Sequence, residues 1–244
     1  MKEKMNKIPV FYACDDNFVK YTMVSLQSMM DHPSKEAQYE IHVLHTNISE
    51  EMQKKMHAME NANFSVQFDH VTEYLHSVQE KLPLRDYYSK TTYFRLFIAE
   101  MFPEIDKAIY IDSDTVVLGD IAQLYAYDLG DAYVGACREQ VMIQEEVYGT
   151  YVEKVLGVER DNYFNAGMLV INCEQFRKNH VLEQFMELLP MYNFVVTQDE
   201  DYLNLICHNK VCWLPQKWNV EVFGQIPCRE EEICVLHYIM VSKP

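Results

Sequence analysis

Apolar runs and periodic apolar stripes take turns along the first seventy residues. Ile8 to Ala13 is a short apolar run rich in Val, Phe and Tyr, the pattern of a buried strand, and it closes on the polar step Asp15-Asp16-Asn17. Val19, Met23, Leu26 and Met30 then recur at the spacing of one helix face. Tyr39 to Leu44 reads as a second strand. Ser49 is placed to cap a second helix, with Glu50 and Glu51 in the first turn, where the dipole favours acids, and Met52, Met56 and Met59 turned inward. Asn63 to Phe68 is a third strand. The order β-α-β-α-β predicts a parallel sheet covered by helices.

Farther along, Thr92 to Met101 is expected as a helix halted before Pro103, and Ala108 to Ile111 as a buried strand running into Asp112-Ser113-Asp114. Tyr133 to Cys137 and Met168 to Ile171 read as strands, Glu174 to Leu189 as one helix, and Asp199 to Cys207 as a short helix with an acidic head. No repeat, low-complexity stretch or Gly/Ser/Pro linker divides these parts. The expectation is a single α/β domain over 1–244.

Composition narrows the chemistry. The formal net charge of −16 repels phosphate backbones and anionic lipid, which excludes a nucleic-acid groove or a polybasic anchor. Only 7 of 244 residues are glycine, and they leave no GxGxxG and no phosphate-cradling loop. A protein so built that handles a diphosphate needs a metal ion instead. The 7 cysteines are scattered and never spaced CxxC, which argues for a reducing compartment. With no leader-like apolar run and no membrane-length apolar window, the expected location is cytoplasmic.

In open α/β sheets ligands sit outside the carboxyl ends of strands, so the polar steps after Ala13 and Ile111 are the candidate sites. Asp112 and Asp114, two apart in extended chain, point the same way and can converge on one cation; without it they would repel. The bland reading is a strand cap or turn. IYIDSDTV also resembles the strand-end motif of haloacid-dehalogenase-like phosphatases, but there the motif lies on the first strand, whereas here more than a hundred residues precede it.

Six stations in order carry a stronger resemblance: Ala13-Cys14-Asp15-Asp16-Asn17, Thr91 to Arg95, Asp112-Ser113-Asp114, Phe164-Asn165-Ala166-Gly167, Gln198 to Asn204, and His237-Tyr238 with Lys243-Pro244. Together they resemble glycosyltransferase family 8, in particular its bacterial lipopolysaccharide galactosyl- and glucosyltransferases. The resemblance implies a GT-A fold, with a mixed, mostly parallel sheet, that moves glucose or galactose from a UDP-sugar to an acceptor hydroxyl with retention. The acceptor would be a glycan or lipid-linked saccharide. The implied metal is Mn²⁺, with Mg²⁺ the alternative, held by Asp112, Asp114 and His237. Two carboxylates and an imidazole suit Mn²⁺ better than the all-oxygen site that Mg²⁺ prefers. Ala13, Asp15 and Asn17 would hold the uridine, Arg95 would reach the donor, and Lys243 would contact the diphosphate. Asn165, Ala166 and Gly167 would line the donor sugar, with Asp199 and Glu200 as the catalytic carboxylates.

Each station has a plainer reading too. Asp16 and Asn17 would serve as a helix cap, His237 as a bonded core histidine, Arg95 as a surface ion-pair partner, and the acids at 199 to 201 as complements to a helix dipole. Three departures from the family pattern stand out. Met240 replaces a glycine that lets backbone approach the diphosphate. The tryptophan expected after Lys-Pro is absent, so the family's tail, with any membrane contact it makes, is expected to be short or missing. Glu200 stands where relatives often carry glutamine. A catalytically impaired nucleotide-sugar-binding module is the alternative function.

Overall fold

A computed structural model describes residues 6–72, 74, 76, 90–194 and 196–239. β1 (Asn6–Ala13), β2 (Ala37–His45) and β3 (Phe64–His70) are the three expected N-terminal strands, joined through α1 (Val19–Met30) and α2 (Glu50–His57). β4 (Lys107–Ile111), β5 (Thr115–Val117), β6 (Val134–Arg138), β7 (Phe164–Asn172) and β8 (Val211–Trp213) follow, then β9 (Val220–Glu221) and β10 (Val235–His237).

Seven strands form the main sheet in the order β3-β2-β1-β4-β7-β6-β8. β1 pairs in parallel with β2 and β4, β2 with β3, and β6 with β8, while β7 runs antiparallel to β4 and β6. The sheet is therefore mixed and mostly parallel, as expected. Side chains alternate between two buried layers: Phe11, Tyr110 and Leu169 enter one, and Val10, Tyr12, Ile109 and Val170 enter the other.

Two topological facts position the site. Because β7 runs against β4, with Ile111 opposite Met168, the end of β4 meets the start of β7. A separate three-stranded sheet, β5-β10-β9, sets His237 opposite Thr115. The Asp112-Ser113-Asp114 turn thus lies between a main-sheet strand and a strand of the small sheet.

Three expected elements differ. Thr92 to Met101 is a 3₁₀ turn (Lys90–Leu96) followed by a short helix (Ile98–Met101). Tyr93, Phe94, Leu96, Phe97 and Ile98 are all buried, so no solvent face imposes a 3.6-residue period, and the Arg95 Nε–H takes up the Thr92 carbonyl. The span Glu174 to Leu189 is two helices, Cys173–Lys178 and Val181–Leu188, broken where His180 adopts a left-handed φ of 54°. Met168 to Ile171 extends back to Phe164, which puts Asn165, Ala166 and Gly167 inside β7.

The buried face of α1 also departs from the expected stripe. Val19 and Leu26 are buried, but Met23 and Met30 are only half-buried, and Thr22 and Ser25 point inward. Thr22 Oγ1 lies 2.8 Å from Ser113 Oγ, and Ser25 Oγ lies 2.8 Å from Thr115 Oγ1 and 2.9 Å from the Tyr12 hydroxyl. Thr115 Oγ1 in turn donates to the Asp112 carbonyl over 2.9 Å. These hydroxyls clamp the Asp112–Asp114 turn to α1. Removing one buried partner leaves others unsatisfied, so Ser25→Ala is expected to destabilise the fold by about 1–3 kcal/mol in urea denaturation.

Candidate active site

The Asp112 backbone N–H donates to the Gly167 carbonyl over 2.7 Å, which locks the carboxylate turn to β7. Asp112 Oδ1 accepts from the Tyr110 hydroxyl at 2.8 Å and from Arg95 Nη2 at 3.1 Å, leaving Oδ2 turned to the opposite side. His237 Nε2 lies 3.8 Å from Asp112 Oδ2 and 3.4 Å from Asp114 Oδ1. One ligand atom from each of these three residues fits within 4.8 Å of the others. Octahedral ligation at about 2.1 Å spaces ligand atoms roughly 3–4 Å apart, so the cluster has the dimensions and the oxygen and nitrogen donors of a divalent-cation site.

Gly167 makes that convergence possible. A Cβ built on it would lie 2.2 Å from His237 Cε1 and 2.6 Å from Asp112 Oδ2, so any side chain there would occupy the space between the imidazole and the carboxylate. This is the close approach that only glycine permits.

Arg95 is the hub of the surrounding charges. It is buried, stacks over the Tyr110 ring at 4.4 Å, and bonds Asp112 and the Ala166 carbonyl. Its Nε lies 2.9 Å from Asp199 Oδ2, but the N–H is aimed at Thr92, so the Asp199 contact is an ion pair without a hydrogen bond. Burial pulls the guanidinium toward deprotonation, and Asp112 and Asp199 more than reverse this, so its pKa ends above its ordinary value. Arg95 is therefore no surface arginine.

Asp199 and Glu200 open their helix inside the protein, after Gln198 with its φ of 39°. Glu200 Oε2 accepts from the Ala166 N–H at 2.7 Å. Its carboxyl is raised well above the usual range by burial first and by the neighbouring Glu139 charge second. Asp201 instead faces inward, where the Tyr151 and Tyr163 hydroxyls each donate to it over 2.8 Å.

At the end of β1, Asp15 Oδ1 accepts from the backbone N–H groups of Asn17 and Phe18, and Asp16 Oδ1 from the Ser49 hydroxyl and N–H. So Asp15, rather than Asp16 or Asn17, caps the turn into α1. Val10 and Phe11 pair with Ile109 and Tyr110 in β4, a register that brings Ala13 toward Asp112. Lys243 and Met240 lie outside the described residues. Sequence reasoning passed over Tyr110, Asn219, Glu139 and Glu221. Glu139 and Glu221 are buried acids, and burial raises both.

The model of Glycosyl transferase family 8 matches residues 9–244. A Haemophilus influenzae relative is 30% identical over 238 residues, 96% of this chain and 69% of its own. The lipopolysaccharide 1,3-galactosyltransferase of Salmonella typhimurium is 23% identical over 257 residues, 98% of this chain and 73% of its own. Among solved structures, galactosyltransferase LgtC with donor and acceptor sugar analogues superposes with a TM-score of 0.79 at 25% identity, covering 97% of this chain and 88% of LgtC. The bifunctional glycosyltransferase WbbM gives 0.83 at 25% identity, and the match spans 100% of this chain but only 47% of WbbM. Among the described residues no helix is long and apolar enough to cross a membrane.

Burial lifts the Asp199 carboxyl from 3.8 to about 7, with Arg95 opposing and Asp112 adding to the rise. Between about pH 4 and 7 the folded chain keeps a proton that the unfolded chain has released, so stability falls as pH rises through that window. Asp199→Asn should lose that slope. In metal-free urea denaturation the variant should gain on the wild type across this range by up to about 4 kcal/mol; parallel profiles would contradict the shift.

Proposed function

The chain belongs to glycosyltransferase family 8, and on that premise we propose that it transfers glucose or galactose from a UDP-sugar to an acceptor hydroxyl with retention of configuration. The observation that carries the reading is the convergence of Asp112, Asp114 and His237 across Gly167. The names of relatives that act on lipopolysaccharide support a glycan or lipid-linked acceptor.

In this reading Asp112, Asp114 and His237 hold Mn²⁺, or Mg²⁺ in its place. A bound divalent cation supplies charge neutralisation for the departing diphosphate. Ala13, Asp15 and Asn17, at the end of β1, take the uridine, and Lys243 contacts the diphosphate. Asn165, Ala166 and Gly167 line the donor sugar. Asp199 Oδ2, buried with no hydrogen-bond donor among the described residues, is an acceptor for a sugar hydroxyl. Arg95 acts on the donor through the two carboxylates it holds.

Retention follows from either double displacement or front-face attack. The front-face route is favoured here, because burial holds the Glu200 carboxyl toward its neutral form and one of its oxygens is committed to the Ala166 N–H. A neutral carboxyl is a poor nucleophile. Glu200 then positions the sugar-lining segment and lends only partial negative charge to the sugar. Catalysis is one single-domain task over residues 1–244, carried out in the cytoplasm.

The test is UDP release from a panel of UDP-sugars, with and without candidate saccharide acceptors. Release should need Mn²⁺, stop with chelator, return when Mn²⁺ is restored, and fall at least a hundredfold in Asp114→Ala without metal rescue. Glu200→Gln should keep turnover within about tenfold of wild type. Release that survives chelation would remove the metal role; UDP binding without any release would favour a nucleotide-sugar-binding module.

A further inference from the structure

His237 faces Asp112 and Asp114 with Nε2, and its other ring nitrogen begins a relay of two buried amides. Nδ1 lies 3.1 Å from Asn219 Oδ1. Asn219 Nδ2 lies 2.8 Å from Asn165 Oδ1, and the Gly167 backbone N–H donates to that same Asn165 oxygen over 2.9 Å. Asn165, Asn219 and His237 are all buried.

The direction of every bond in the relay is forced from one end. A backbone N–H only donates, so the Asn165 atom that faces Gly167 is the carbonyl oxygen. That oxygen only accepts, so Asn219 turns its amide nitrogen toward Asn165 and its own carbonyl toward His237. A carbonyl cannot donate, so His237 Nδ1 carries the hydrogen. In the neutral imidazole Nε2 is then left with its lone pair directed at the two aspartates.

From this relay we propose that Asn219 is a positioning residue: it fixes the Nδ1–H tautomer and the ring plane of His237, so that Nε2 is presented as a ligand atom before a cation arrives. The inference rests on the reading of the Asp112–Asp114–His237 cluster as a metal site. Asn219 is itself well anchored. It is fully buried after the Gln216–Trp218 turn, and Gln216 Nε2 donates to its backbone carbonyl over 2.9 Å. Its neutrality also matters. Histidine ligands are often oriented by a carboxylate, but a further anion beside Asp112 and Asp114 would add to their repulsion in the metal-free chain. An amide supplies the acceptor without the charge.

The relay also ties the metal side of the site to its sugar side. With both lone-pair directions of Asn165 Oδ1 taken by Gly167 and Asn219, only the Asn165 amide nitrogen remains for a ligand. Asn165 therefore serves a sugar as a donor, and its orientation is set by the same bonds that set His237.

The tautomer is read directly in the metal-free full chain labelled with ¹⁵N-histidine, at a pH where the imidazole is neutral. His237, assigned by loss of its signals in His237→Gln, should show a protonated Nδ1 and an unprotonated Nε2; a protonated Nε2 in the wild type overturns the inference. In Asn219→Ala the ring should relax toward the Nε2–H form, and Mn²⁺ affinity by calorimetry should weaken about 10–100-fold. Asn219→Asp keeps the acceptor and should recover the Nδ1–H tautomer and most of the affinity, which a purely structural role would not do. Unchanged Mn²⁺ affinity in Asn219→Ala overturns the positioning role. A wild type that shows the Nδ1–H tautomer yet binds no Mn²⁺ overturns the metal reading alone.

Discussion

The site depends on the absence of one side chain. β4 and β7 run antiparallel, and the bond from the Asp112 N–H to the Gly167 carbonyl brings their ends into contact. β10 then lays His237 across the same point from the small sheet. Three chain segments remote in sequence meet over the Gly167 Cα, and the space where a Cβ would stand lies between the imidazole and a carboxylate. In a chain with only 7 glycines, this one stands inside a strand, where glycine costs stability and packs nothing. Close approach at the site offsets that cost.

Electrostatics sets the second constraint. Asp112, Asp114, Asp199 and Glu200 gather in a largely buried space, and Arg95 supplies a permanent positive charge to two of them, Asp112 and Asp199. Part of the excess is relieved by proton uptake, which is why burial lifts Asp199 and Glu200 out of the usual carboxylate range. The Asp112 and Asp114 oxygens converge with the His237 Nε2 positioned to join them. Such an arrangement is stable only with a cation or at the expense of mutual repulsion. Most of the 37 acids lie far from these positions in sequence.

What was legible in the sequence was what local pattern determines. The β-α-β-α-β start follows from apolar period, and Asp112 with Asp114 from two-residue spacing at the end of an apolar run. Gly167 and His237 needed the ordered family stations, because nothing near them announces a ligand site. Asn219 was invisible for a physical reason: its role is created by the approach of β7 and β10, and an asparagine after a tryptophan has no local signature. Thr22 and Ser25 were missed because a hydrophobic-face argument assigns hydroxyls to solvent, whereas here they are bonded inward to Ser113 and Thr115. The break at His180 was hidden because Leu182 and Phe185 continue the apolar face across it.

The most direct test of the central claim is Mn²⁺ binding to Gly167→Ala, measured by calorimetry beside circular dichroism and a urea unfolding curve. The expected result is a chain that still unfolds cooperatively but has lost measurable Mn²⁺ binding, because the added methyl holds the imidazole and the carboxylate apart. A folded Gly167→Ala chain that binds Mn²⁺ as tightly as the wild type would contradict it.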